Sequence, residues 1–161
     1  MTFNLTKDQI EIQQRARQIA STLVAENAVE VDKSEQYPWD NVKALTDAGF
    51  VGMTIPKEYG GPGRSFLEAN LVVEEMAAYC GPTGRIAVEA NMGAISAVMH
   101  YGTDFQKRLA AELVLAGDKP AICITEPDAG SAASQMTTRA DKRGDRYVIC
   151  LLYTSDAADE S

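Results

Sequence analysis

Three runs built to one pattern do most to limit how this chain can fold: Thr6-Lys7-Asp8-Gln9, Ser65-Phe66-Leu67-Glu68 and Thr103-Asp104-Phe105-Gln106. In each, a hydroxyl residue is followed three places on by Glu or Gln, so the two side chains can satisfy amide groups that a helix start leaves unpaired. Each run therefore opens a helix. After the first, Ile10, Ile12, Ala16, Ile19, Ala20 and Leu23 recur with mostly helical spacing, which predicts a helix to about Asn27. A polar link with Asp32, Lys33, Ser34 and Glu35 leads to Tyr37-Pro38-Trp39, where proline suits a helix start, and Gly49 ends that short helix. The next stretch, FVGMTIPKEYGGPGRS, holds too much Gly and Pro for a regular element and is long for a simple connection. That combination predicts a fitted functional or packing loop. The second box opens an amphipathic helix to about Cys80, with Gly81-Pro82 as its stop. From about Gly84 to His100, the small residues Ala87, Ala90, Gly93, Ala94, Ser96 and Ala97 predict one central, buried helix. The third box starts a helix that Gly117 ends.

At residue 120 the pattern changes. Ala121-Ile122-Cys123-Ile124-Thr125 is a short apolar run that reads as a strand, Thr137–Ala140 is a second candidate, and Gly144-Asp145 can turn a hairpin into Arg146-Tyr147-Val148-Ile149. The expected fold class is mainly α, with a helical bundle over residues 1–119 and the start of a β domain over 120–149. The remaining residues, 150–161, read CLLYTSDAADES and continue neither pattern. They resemble the translated frame of a transposase sequencing adapter and are expected to be a read-through artefact on a truncated gene.

Charge and composition exclude several functions. A net charge of −8 and a pI near 4.6 argue against nucleic acid and anionic membrane as partners, since both reward a basic face. No run of about eighteen apolar residues occurs, and the N-terminus lacks the apolar core of a leader, so the cytoplasm is the expected compartment. Three cysteines without CxxC spacing and a single histidine support neither a zinc site nor a disulfide framework. His100 reads as a helix-end residue, Cys80 likewise, and Cys123 as a small buried hydrophobe in a strand. Trp39 is expected to anchor the short helix against the bundle, and Glu126 to fix a turn rather than to remove a proton.

The run PAICITEPDAGSAASQMTTRA, residues 120–140, carries the chemistry. An apolar strand there breaks at Thr125-Glu126-Pro127 into the smallest residues available. Backbone N–H groups beside Ala129 and Gly130 can approach a flat or phosphorylated ligand closely, and Thr125 and Ser131 add hydroxyls at the two ends of the loop. The same composition also fits an ordinary tight turn. Arg85 is placed at or near the first turn of the expected 84–100 helix, where a cation opposes the macrodipole. Free helix N–H groups with a guanidinium make an anion site that a sulfinate or carboxylate could bridge; a solvated surface arginine is the other reading.

AICITEPDAGSAASQMTTRA with the following GDRYVI resembles the flavin-binding signature of the acyl-CoA dehydrogenase family, and IPKEYGG at Ile55–Gly61 is similar to its N-terminal motif. The likeness extends over residues 1–149. It implies a helical N-terminal domain followed by the truncated start of a β-barrel-like middle domain, with FAD and an acyl-CoA thioester as cofactor and substrate and a homotetrameric parent protein. It also implies that the backbone around Ile122 and Ile124 and the Thr125 hydroxyl address the flavin ring. Gly130 and Ser131 would then face the FAD phosphates, with Ser131 also near CoA. Two departures are visible: Ala132 stands where many members have Asp, and no Trp-Ile-Thr segment follows. The catalytic base, which the family carries in its C-terminal domain, is not assigned to any residue of this chain.

EQYPWDNV, DAGFVGM, GRIAVEANMGAI and LVLAGDKPAICITEP resemble more closely a branch of the family that removes sulfinate from the β-carbon of a short acyl-CoA, giving propanoyl-CoA and sulfite. That likeness implies a substrate-binding role for Arg85. Ordinary α,β-dehydrogenation of an acyl-CoA and a helical binding or assembly module without cofactor remain the alternatives.

Overall fold

The computed structural model describes residues 4–127 and 129–150, and the chain divides into two compact units, Met1–Ala121 and Ile122–Ser161. The first holds helices α1 (Lys7–Ile19), α2 (Ala25–Ser34), α3 (Trp39–Asp47), α4 (Phe66–Ala77), α5 (Gly81–Asn91), α6 (Ala94–Tyr101) and α7 (Asp104–Leu115). The second holds strands β1 (Arg139–Arg143) and β2 (Arg146–Cys150). Of the adapter-like residues 150–161, Cys150 continues the β pattern as the last residue of β2, opposite Arg139, and 151–161 lie outside the described residues.

All three capping boxes form, at the starts of α1, α4 and α7. In each, the hydroxyl accepts the N–H three residues on while the Glu or Gln side chain accepts the N–H of the cap residue. The first helix does not stop near Asn27. It passes through a π-helical segment, Ala20–Val24, into α2 and ends only at Glu35, which takes a left-handed φ of 56°. Thr22 Oγ1 donates to the Gln18 carbonyl at 2.8 Å, a side-chain competitor for the amide ladder just where the helix widens. No Gly or Pro interrupts residues 25–34, so the polar link expected there stays helical.

The core lies where α4 packs against both α1 and α5. Ile12, Ala16, Ala20 and Val24 from the first helix meet Ala69, Val72 and Met76 of α4, with Leu45, Ala90, Ile95, Ala111 and Val114 completing one cluster. At Gly84 a Cβ would lie 2.6 Å from the Ala77 Cβ, so glycine there permits the close approach of α5 to α4. Glu75, 6% exposed, enters this packing only with a partner: Arg17 donates to both its oxygens, Nη2 at 2.7 Å and Nε at 3.0 Å. No helix among the described residues is long and apolar enough to cross a membrane.

The single helix expected over 84–100 is two helices. α5 begins at Gly81, with Pro82 serving as its start rather than as the stop of α4, and it breaks at Met92-Gly93. Two carbonyls of its last turn are diverted: Ala90 C=O accepts Gly52 N–H at 3.2 Å, and Asn91 C=O accepts the Thr54 hydroxyl. These bonds tie the end of α5 to the 50–64 loop at the point where its ladder stops. Only the α5 half is central; in α6, Ile95 is buried while Ala97 is exposed.

Residues 50–64 prove to be a packing loop. Phe50, Val51, Met53 and Ile55 are buried, and the side chain of Asn91 holds the loop by accepting Met53 N–H at 2.7 Å and donating to Phe50 C=O at 2.9 Å. Trp39 is not an anchor: it is 52% exposed and meets Tyr37 edge-on, with ring centroids 4.7 Å apart.

In the second unit, β1 and β2 pair antiparallel with Arg143 opposite Arg146, leaving Gly144-Asp145 as a two-residue turn. Gly144 has φ of 65° while Asp145 is not among the positive-φ residues, the φ pattern of a type II′ hairpin turn. Residues 121–125 join no ladder and are not the expected strand, because no described strand pairs with them. Cys123 is accordingly exposed rather than buried.

Candidate functional site

Glu126 organises the loop that the sequence singled out. Its N–H donates to Ala129 C=O at 3.1 Å and its C=O accepts Ala129 N–H at 3.1 Å, closing a turn with Pro127 at the second position, where its fixed φ suits the bend. Its carboxylate then reaches forward. Thr137 N–H (2.8 Å) and Thr137 Oγ1 (2.9 Å) donate to Oε2, and Thr138 N–H donates to Oε1 at 2.6 Å. The Thr137 N–H chiefly, with the other donors adding to it, holds the Glu126 carboxyl down at about 2 against opposing desolvation. Such a group stays ionised through the neutral range and is a poor proton acceptor. It is a staple for residues 126–138.

With the loop closed in this way, the five residues expected to meet a flavin fall in one segment. Ile122 is half-buried, and Ile124, Thr125, Gly130 and Ser131 are exposed. Among the described residues, the N–H groups of Ile122, Ile124, Gly130 and Ser131 and the hydroxyls of Thr125 and Ser131 have no hydrogen-bond partner. Gly130 has no positive φ, and, its chain neighbours aside, no atom of the described residues lies within 4 Å of where its Cβ would be. Neither backbone conformation nor internal packing requires glycine at 130, so the space beside it is available to a ligand. The donor set, small and unpaired, fits a flavin ring and phosphates.

Arg85 belongs to the other unit. Because α5 starts at Gly81, Arg85 is its fifth residue and stands past the first turn, where the macrodipole penalty expected for it has fallen away. Its guanidinium is paired through Nη2 with Glu89 Oε1, one turn on, and its side chain is 67% exposed. The free helix N–H groups expected to join it in an anion site lie a turn earlier, so the guanidinium stands apart from them.

Among known proteins, the sequence profile of the acyl-CoA dehydrogenase N-terminal domain matches residues 6–118. The chain belongs to the acyl-CoA dehydrogenase family. A 3-sulfinopropanoyl-CoA desulfinase from Variovorax paradoxus is 60% identical over 147 residues, covering 91% of this chain and 37% of that protein. Butyryl-CoA dehydrogenase from Megasphaera elsdenii superposes with a TM-score of 0.81 at 28% identity, over 92% of this chain and 40% of that one. A glutaryl-CoA dehydrogenase solved with glutaryl-CoA gives a TM-score of 0.83 at 29% identity, over 92% of this chain and 39% of that one. The chain thus spans about two-fifths of the length of these relatives.

Three residues that shape these two places, Thr137 and Thr138 beside Glu126 and Glu89 beside Arg85, are not evident from the sequence pattern. Thr137 and Thr138 were read only as strand residues, and eleven or twelve positions separate them from the carboxylate they bind. Glu89 was legible in principle, since its i,i+4 spacing from Arg85 marks a facing pair on any helix through both.

Proposed function

We propose that this chain is the N-terminal part of a flavin-dependent enzyme that acts on short acyl-CoA thioesters ending in an anion. The reaction assigned to it is removal of sulfinate from 3-sulfinopropanoyl-CoA. The observation that carries the reading is the 60% identity to the Variovorax paradoxus desulfinase over 147 residues. One C–S bond is exchanged for one C–H bond, water supplies hydrogen and oxygen, and the sulfur leaves as sulfite, so substrate and products balance without an external oxidant. FAD, when bound, supplies a polarisable ring and, in related chemistry, a hydride acceptor. Ile122, Ile124 and Thr125 would fix the ring through backbone and hydroxyl groups, and Gly130 and Ser131 the phosphates. Ser131 would also contact CoA, and Arg85 would hold the sulfinate. Residues 1–119 form the helical domain of this reading, residues 120–149 the opening of the middle domain, and the working protein is a homotetramer in the cytoplasm.

Ordinary α,β-dehydrogenation is the second reading, favoured by the structural likeness to butyryl-CoA dehydrogenase. The full-length polypeptide should be yellow after desalting and release sulfite from 3-sulfinopropanoyl-CoA. Arg85→Ala should reduce kcat/KM on that substrate by about 10- to 100-fold, the worth of a charge-assisted bond, and far less on butanoyl-CoA. Equal losses on both substrates would remove Arg85 from substrate binding, and a colourless protein would remove the flavin reading.

A further inference from the structure

Glu89 stands one turn beyond Arg85 on α5, yet the two side chains differ in setting: that of Glu89 is 13% exposed and that of Arg85 is 67% exposed. The carboxylate is tied down at both oxygens. Oε1 pairs with Arg85 Nη2, and Oε2 faces the Ala94 N–H at 3.4 Å, at the start of α6. Gly93 makes the room for it, because a Cβ there would lie 2.0 Å from Oε2. The α5–α6 break and the guanidinium are therefore joined through one nearly buried side chain. Arg preceding Glu is the weaker of the two i,i+4 orders on a helix, so the pair does little for helix stability; what it fixes is direction. A guanidinium has five N–H donors in a rigid fork. With Nη2 taken by Glu89, Nε and Nη1 of Arg85 have no partner among the described residues.

We propose that Glu89 is a positioning residue. It anchors Nη2 of the Arg85 guanidinium so that the remaining N–H donors are presented, in a fixed plane, to the anionic end of the acyl group. The inference rests on the reading of Arg85 as the group that binds this anion. Glu89 itself touches no substrate; it converts a long, exposed, rotamer-rich arginine into a pre-aimed fork, and the order this imposes is ordering that the substrate no longer has to impose.

The test uses the full-length protein with Arg85→Ala, Glu89→Ala, Glu89→Gln and the double alanine variant, assayed on 3-sulfinopropanoyl-CoA and on butanoyl-CoA. Glu89→Ala is expected to raise KM for the sulfinate by about tenfold and for butanoyl-CoA far less, as befits one lost charge-assisted contact. Glu89→Gln should recover part of the loss, because its amide oxygen still accepts from Nη2, and this variant serves alone if the alanine protein does not fold. In the Arg85→Ala background, removing Glu89 should change the preference between the two substrates no further. A parallel rise in both KM values, or a lower sulfinate KM in either Glu89 variant, overturns the proposal: the first marks a packing role and the second a competing counter-ion. If Arg85→Ala discriminates between the substrates and Glu89→Ala does not, only the role of Glu89 falls. If Arg85→Ala fails to discriminate, the anion-binding reading falls first.

Discussion

The Glu126 carboxylate accepts the Thr138 backbone N–H at 2.6 Å across twelve residues of sequence. With the two Thr137 donors, this bond makes a loop of small residues depend on one ionised group. The charged form is favoured in the folded state, where the carboxyl is lowered from 4.5 to about 2. Its contribution to stability is thus complete above about pH 4.5, shrinks as pH falls and the unfolded chain takes up the proton first, and is gone below about pH 2. Amide NMR should show the Thr137 and Thr138 signals titrating together with a midpoint near 2; a midpoint near 4.5 would contradict the staple.

Asn91 is fully buried and meets three backbone groups, accepting Met53 N–H at 2.7 Å and donating to the carbonyls of Phe50 and Ala87, each at 2.9 Å. Asn91→Ala would strand Met53 N–H and Phe50 C=O beside residues only 2% exposed. At about 1–3 kcal/mol for each buried group left unpaired, the variant should lose about 3 kcal/mol in urea unfolding. Asn91→Asp keeps the acceptor for Met53 but points a second oxygen at two carbonyls, so it should rescue nothing. A loss under about 1 kcal/mol for either variant would mean that water fills the site.

The Arg17–Glu75 pair joins a 59% exposed side chain to an 8% exposed one, and that asymmetry sets the order of its variants. Arg17→Ala leaves a buried carboxylate without its counter-ion, whereas Glu75→Gln leaves a guanidinium that water can reach. Thermal unfolding should show the larger drop in Tm for Arg17→Ala. Equal drops would show that water already reaches Glu75.

Much of this fold is written locally. The capping boxes at Thr6, Ser65 and Thr103 set three helix starts to the residue, because a box acts through atoms three positions apart. The same local rules mislead where distant groups compete. Nothing near Asn91 says that its carbonyl will go to the Thr54 hydroxyl at the break after α5, and Gly81-Pro82 suits a helix start as well as a stop. Moving the start by three residues also removed the dipole argument for Arg85 while exposing its real constraint, the Glu89 pair. At 122–131 the family signature gives an expectation of flavin binding, and the apolar residues there did not become a strand. Apolar character states a preference for a ladder; a ladder also needs a partner strand.

Two glycines that look alike in sequence should respond in opposite ways. At Gly61 a Cβ would fall 2.2 Å from the Ile55 carbonyl oxygen, a backbone atom of a residue with no exposure, so neither side can yield. Gly61→Ala should therefore cost about 3 kcal/mol or prevent folding, at the upper end of overpacking costs, and circular dichroism melts would register it. Gly130 has open space where its Cβ would be and no positive φ, so Gly130→Ala should leave the melting curve of the chain unchanged. If a flavin phosphate rests against that backbone in the full-length protein, the added methyl group fills the approach, and flavin retained after desalting should fall, with the Kd rising by about tenfold. Undiminished retention would mean that the ligand stands off the loop and that glycine at 130 answers to no bound phosphate.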